Sequence, residues 1–294
     1  MQMRVRVGVV VPARNEAKTI KYTLRSLFRQ ELKPEIVVVV DDASSDGTAE
    51  VAEREGAVVV RLKRAFQASA TGTPYLAYVI NKGLNVLKKS DLDFVMISGA
   101  EAVYPSNYIS EIVNRMVKDR VVVASGLAAG EKTKGSLAVR GSGRLINAVW
   151  FEKVGFAYPL AYGFETWLLA KALSQGLKVA VYPVKFYLLR RTSMNVQKAY
   201  FYGKGVRSLG YSIFFVLGRA FTLFLTSKDI NILVHYIKGY IENGLIYNEE
   251  IRKVIAYLQV KRLYYLLSSI ILHSFQSFAK LIIRFKDESL TIRK

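Results

Sequence analysis

Acidic side chains gather in three short stretches of this chain. Glu16 ends PARNE (12–16), Asp41 and Asp42 open DDASSDGT (41–48), and Glu101 lies in GAEAVYP (99–105). Two adjacent carboxylates repel each other, so Asp41 and Asp42 want a donor-rich partner. A nucleobase imide N–H, a ribose hydroxyl or a metal ion would serve. A plainer role exists for Ser44, Ser45 and Asp46, any of which can cap a following helix. Capping does not account for the two acids before them.

The elements that must position these acids alternate. VRVGVVVPA (5–13) is a continuous β-branched run ending at Pro12, the pattern of a buried strand. NEAKTIKYTLRSLFRQ carries Ile20, Leu24 and Leu27 at helical spacing. EIVVVVDD, AVVVRLK, DFVMIS and RVVVASG predict four further strands. Helices are predicted between them, in SSDGTAEVAEREG, YLAYVINKGLNVLKK and SNYISEIVNRMVKD, the last with Ser106 as its cap. Repeated strand–helix–strand order implies a parallel sheet with helices on both faces, and ligands then bind at the carboxyl ends of the strands. All three acidic stretches follow predicted strands. After residue 126 the pattern loosens into a Gly- and Lys-rich stretch (126–145) that reads as a mobile loop. LINAVWFEKVG, GFETWLLAKALSQGL and KVAVYPV then read helix, helix, strand, and the chain from about residue 195 reads helical, basic and aromatic.

The two turns Pro12–Glu16 and Asp41–Thr48, about 25 residues apart, resemble the opening of the family 2 glycosyltransferases. That family shares P-x-x-N-E after the first strand and D-D-x-S-x-D-G-T after the second. The resemblance covers roughly residues 5 to 210 and implies the glycosyltransferase-A (GT-A) fold and an inverting reaction. It implies that Pro12, Ala13, Glu16 and Asp41 hold the base and ribose of a nucleoside-diphosphate sugar, with Asp42 nearby. The family's fourth strand usually ends in D-x-D; here the same register reads Gly99, Ala100, Glu101. The first acid is missing and the second is longer by a methylene. The resemblance makes Glu101 the ligand of Mg²⁺ or Mn²⁺, because diphosphate and water can fill the rest of such a shell. The literal Asp91-Leu92-Asp93 precedes the strand and reads as a solvated turn at the other end of the sheet.

The family's general base opens a later helix, where Glu165 stands in FETW (164–167). Inversion needs one carboxylate to take the proton of the attacking hydroxyl. An acid in a helix's first turn is also favoured by the helix dipole alone. GSGRLINAVWFEKVG resembles the family's segment lining the donor sugar, a Gly-rich strand entering a helix, in which Gly141 and Gly143 would permit close approach. Arg190 and Arg191 stand where the family closes a basic loop over the diphosphate, though a solvated basic surface reads equally well. The Q/R-x-x-R-W motif of processive members is absent.

With 294 residues, 51% of them hydrophobic, the chain can bury a core. It contains no cysteine, which excludes disulfides and thiolate metal sites and fits an intracellular protein. The formal charge of +20 predicts attraction to polyanions. The apolar stretches 211–225 and 263–285 are too short or too interrupted by polar residues for spanning helices and read as amphipathic. The expectation is a GT-A domain over residues 1–210 and a basic, aromatic helical extension over 211–294. It would be cytoplasmic, peripheral on the inner face of the plasma membrane. Its acceptor would be a glycan or a lipid-linked molecule, with no nucleic acid as partner. Two other classes remain at this point: a nucleotide-sugar-binding protein without turnover, motivated by Gly99, and a basic nucleic-acid-binding protein, motivated by charge alone.

Overall fold

The computed structural model describes residues 5–64, 70–131, 138–190, 194–265 and 268. β1 (Val7–Ala13) lies between β2 (Ile36–Asp41) and β4 (Phe94–Ile97), parallel to both, and β3 (Val58–Arg61) extends the parallel set beyond β2. The eight-stranded sheet runs β3-β2-β1-β4-β7-β6-β8-β5. The run of valines in β1 is explained by cover on both faces. Val7, Val9 and Val11 face the layer containing α1 (Ile20–Phe28) and α4 (Tyr108–Asp119). Val10 faces the opposite layer, with α3 (Pro74–Leu87), α5 (Ala148–Lys153) and α6 (Phe164–Ser174).

The sheet is mostly parallel, as expected, and the departure lies in its far half. β7 (Arg144–Asn147) runs antiparallel to β4 and to β6 (Val121–Ala128). Leu145 to Asn147, read above as the start of a helix, are strand; they bury Leu145 and Ile146 between β4 and β6. The helix begins at Ala148, and Asn147 caps it by accepting the Trp150 amide at 2.9 Å. The pairing Ile97↔Arg144 brings the chain into β7 from the carboxyl end of β4. Residues 139–143 therefore lie over that end.

Two predicted caps also differ. α4 starts after Asn107, and Ser106 instead donates to Glu31 at 3.3 Å. α2 (Thr48–Arg54) is preceded by Gly47 at φ +83°; Ser44 bonds elsewhere, while Asp46 accepts the Thr48 amide at 3.1 Å through one oxygen and the Ala17 amide through the other. β8 (Lys178–Leu188) runs parallel to β6, and β5 (Ala102–Val103) pairs with its end, Ala102↔Leu188. That pairing sets the chain after Leu188 beside Glu101.

Beyond the sheet, α7 (Val196–Ser208), α8 (Ile213–Ser227) and α9 (Ile230–Ile241) form a helical layer, followed by helix over 249–265. α7 and α9 cross closely at Gly203 and Gly239. A β-carbon on either would lie about 2 Å from a carbonyl oxygen of the other helix, so only glycine allows the approach. No helix among the described residues is long and apolar enough to cross a membrane.

Candidate active site

Parallel pairing puts the ends of β1, β2 and β4 side by side, with Ala13 opposite Asp41 and Val10 opposite Ile97. The first two acidic turns are tied together there by the side chains of the second. Ser44 Oγ accepts the Asn15 amide at 2.9 Å, Thr48 Oγ1 the Glu16 amide at 2.8 Å, and Asp46 the Ala17 amide at 3.0 Å. Burial works against the Asp46 charge, but donors from Thr48 and Ala17 outweigh it and hold its carboxyl below the ordinary range. Ser44, Asp46 and Thr48 thus shape the Pro12–Glu16 turn, and Asp46 also accepts the first amide of α2, that of Thr48, at 3.1 Å.

Asp41 and Asp42 diverge. Asp42 accepts from Arg64 and, at 2.8 Å, from Tyr75, with Arg14 3.9 Å away. Arg64 is almost fully buried beside it. Asp41 is buried too, but it accepts only the Ser44 amide, at 3.3 Å through Oδ2. Its Oδ1 is buried with no hydrogen-bond partner among the described residues. Such an orphaned acceptor costs about 1–3 kcal/mol and fits a donor supplied by a ligand. Pro12 and Ala13 form the last residues of β1 next to it.

The Gly99-Ala100-Glu101 turn is pinned by Thr23, which donates to the Ala100 carbonyl at 2.9 Å, and by Ser142, which accepts the Gly99 amide at 2.9 Å. Glu101 folds back over Gly99. A β-carbon at position 99 would lie 3.0 Å from both Glu101 carboxylate oxygens and 3.1 Å from Ser142 Oγ. The additional methylene of Glu101 and the missing side chain at 99 are two halves of one arrangement. Burial, and then the nearby Glu16 charge, push the Glu101 carboxyl above its ordinary range, while Arg190 and Arg140 pull the other way. Glu16 itself pairs with Arg190 and accepts from Thr19 at 2.7 Å. Arg191 lies outside the described residues. Asp91 and Asp93 sit at the opposite end of the sheet, engaged with Arg6.

Glu165 stands in the first turn of α6. Its carboxylate lies against the backbone of Gly141, so closely that a β-carbon there would be 2.0 Å from Oε1. Ser142, the next residue, touches the Gly99 turn. The segment 139–143 therefore joins Glu101 to Glu165, although they are far apart in the chain. Its anchor is Arg144, buried in β7, which donates to the carbonyls of Arg140 at 3.0 Å and Val139 at 3.2 Å. Tyr104 completes the joint, 3.2 Å from Ser142 and 2.9 Å from Ser98; burial pushes its hydroxyl up to about 12. None of Ser142, Arg144, Tyr104, Arg64 or Arg140 stood out in the sequence. Each is a common residue type in a segment with no periodic signal of its own.

The Glycosyl transferase family 2 profile matches residues 8–195, more than half of the chain. The chain belongs to glycosyl transferase family 2. Both acidic turns, Glu101 and Glu165 lie within the matched span. Among relatives, a 55-residue segment is 51% identical to an uncharacterized protein of Methanocaldococcus jannaschii, covering 19% of this chain and 22% of that protein. A 53-residue segment is 45% identical to a 4,4'-diaponeurosporenoate glycosyltransferase of Staphylococcus haemolyticus, covering 18% and 14%. The matched segments thus span 22% or less of these curated relatives. Staphylococcus aureus TarS 1-349, solved with UDP-GlcNAc, superimposes with TM-score 0.55 at 16% identity over 80% of this chain and 79% of that one. The mannosyltransferase PcManGT of Pyrobaculum calidifontis, solved with GDP-Man and Mn²⁺, gives TM-score 0.55 at 17% identity over 90% and 81%. These neighbours share the GT-A fold with this family 2 chain.

A divalent ion at the rim would find one protein ligand in Glu101. The carboxylate is half-buried near Glu16 and receives no side-chain hydrogen bond among the described residues. No cluster of three or more potential ligands exists among those residues, so diphosphate and water oxygens would have to complete the shell.

Proposed function

We propose that this protein is an inverting glycosyltransferase that moves a sugar from a nucleoside-diphosphate sugar to a lipid-linked acceptor. The observation that carries this reading is the continuous path from the orphaned Asp41 Oδ1, across Glu16 and Glu101, to Glu165 through Ser142 and Gly141. Asp41 takes a donor from the nucleotide, beside Pro12 and Ala13. The diphosphate lies over the Gly99-Ala100 turn, with Arg190 free to exchange Glu16 for phosphate oxygens. Mg²⁺ or Mn²⁺ held by Glu101 would neutralise charge on the diphosphate leaving group. The acceptor hydroxyl attacks the anomeric carbon from the face opposite the diphosphate. The new carbon–oxygen bond forms as the anomeric carbon–oxygen bond to the diphosphate breaks, and the diphosphate leaves with that electron pair. The hydroxyl proton passes to Glu165. Asp42 keeps Arg64 and Tyr75 in place behind the site.

Residues 1–210 carry this chemistry and 211–294 serve as the extension that meets the membrane. Two features support a peripheral site on the inner face of the plasma membrane. α8 exposes Phe214, Leu217, Phe221 and Leu225 at i, i+3, i+7 and i+11, Phe214 at 81% exposure. The net charge of +20 favours an anionic surface.

A thermal-shift screen of nucleoside diphosphates with and without Mn²⁺ identifies the base, because a ligand bound only by the folded state raises its stability. Glu165→Gln should then abolish transfer while leaving donor affinity within about 2-fold, since it removes an interaction made in the transition state. A Glu165→Gln enzyme with native turnover would exclude the proposed base.

A further inference from the structure

A cavity of about 370 Å³ opens beside Glu165, between the start of α6 and the helices α7, α8 and α9. Its walls are apolar and aromatic, with Phe201, Tyr211, Phe215 and Tyr236 among them. Two cations also line it, Arg219 on α8 and Arg262 on the helical stretch 249–265. Neither arginine has a hydrogen bond or an ion pair with any of the described residues, and Glu165 is the one acid in the lining. Both arginines act on the tyrosines of the wall. Burial raises the Tyr211 hydroxyl, and Arg262 and Arg219 oppose the rise. Burial also raises Tyr202, another wall residue; Glu165 adds to that rise and Arg219 opposes it.

We propose that this cavity is the acceptor site and that it selects a molecule with an apolar chain and an oxyanion beside the hydroxyl that attacks, the oxyanion bound by Arg219 and Arg262. The assignment rests on the glycosyl-transfer reading for its role, but not for the binding itself. An apolar cavity alone would suit a neutral alcohol. Two arginines without partners among the described residues favour an anion, because guanidinium forms charge-assisted bonds with phosphate or carboxylate oxygens. The volume holds a head group and the first part of a chain. The rest of the chain has a path outward along α8, which carries Phe215 and Arg219 into the cavity and Phe214, Leu217 and Phe221 to the surface.

The test is calorimetric titration of the full chain, without sugar nucleotide, using decyl phosphate, decanoate, decanol and inorganic phosphate below their aggregation limits. Decyl phosphate or decanoate should bind at least about 10-fold more tightly than decanol and inorganic phosphate, as expected when charged bonds and apolar burial act together. Preference between the two anions tells whether the oxyanion carried by the acceptor is a phosphate or a carboxylate. The Arg219→Ala/Arg262→Ala pair should bring the anions down to the level of decanol, while Lys118→Ala on α4 should not. Equal binding of decanol and decyl phosphate, retention of affinity in the double variant, or no amphiphile binding at all overturns the proposal. Nucleoside diphosphate titrated into the native chain, beside the amphiphiles, separates the two ideas. Donor binding without amphiphile binding leaves the transferase reading standing and removes this one; amphiphile binding without donor binding does the reverse for the transferase reading.

Discussion

Gly141→Ala should cripple turnover while sparing the fold. A β-carbon at 141 would lie 2.0 Å from Glu165 Oε1, whereas ordinary contact begins at 3.4 Å, so the carboxylate must retreat by about 1.4 Å (3.4 − 2.0). Gly141 does not have positive φ, so alanine is allowed by the backbone. The atom that must yield is the end of a flexible side chain, so α6 and the sheet can stay in place. A carboxylate displaced by about 1 Å from the position where it takes a proton costs roughly 100-fold in rate, or about 2.7 kcal/mol of transition-state stabilisation. The assay is the initial rate of nucleoside diphosphate release at saturating donor and acceptor, with donor Kd from calorimetry and Tm from thermal unfolding. The expected outcome is a kcat lower by about 100-fold, with donor Kd and Tm near native. Turnover within about 3-fold of native in a folded variant would show that the position of Glu165 does not matter, and the base assignment would fail with it.

Three further perturbations probe the rim. Glu101 has its carboxyl raised by burial and by Glu16, so the folded state binds that proton more tightly than the unfolded chain. Its contribution to stability therefore grows as pH falls through the raised folded pKa, and its charge is a cost at neutral pH. Glu101→Gln should leave Tm equal or higher at neutral pH, with the gap closing on acidification, and should abolish any Mn²⁺ effect on donor affinity; a lower Tm with Mn²⁺ dependence intact contradicts both points. Asp41→Asn replaces an orphaned acceptor with a mixed amide group and should weaken nucleoside diphosphate binding by about 10-fold, measured by titration, as expected for a lost hydrogen bond to a charged group. Gly99→Asp crowds a second carboxylate against Glu101 and Ser142. It should lower Tm at neutral pH, and Mn²⁺ should restore more stability to it than to the native protein, since like charges at contact are relieved by a shared cation.

The parallel core of the fold was legible because β-branched runs buried on both faces leave an unbroken apolar signature. β1, β2 and β4 carry that signature, and the motif turns follow them directly. The strand β7 was not legible. Four residues, Arg144–Asn147, give too short a run to show a period, and a buried arginine disguises it. The same shortness hid the segment 139–143 that joins Glu101 to Glu165.

By itself the sequence determined that Glu16, Asp41 and Glu101 follow strands and that one acid of a pair is missing at Gly99, since these are matters of order along one chain. Only the tertiary structure decided which carboxylate keeps a free oxygen. Asp41 and Asp42 are neighbours of the same type, and they part because Arg64 and Tyr75, brought in from the third strand's loop and α3, engage one and not the other. It also decided that Glu101 reaches over Gly99, and that two arginines, on α8 and on the helical stretch 249–265, face Glu165 across one cavity. Partner and distance depend on residues remote in sequence, which only packing brings together.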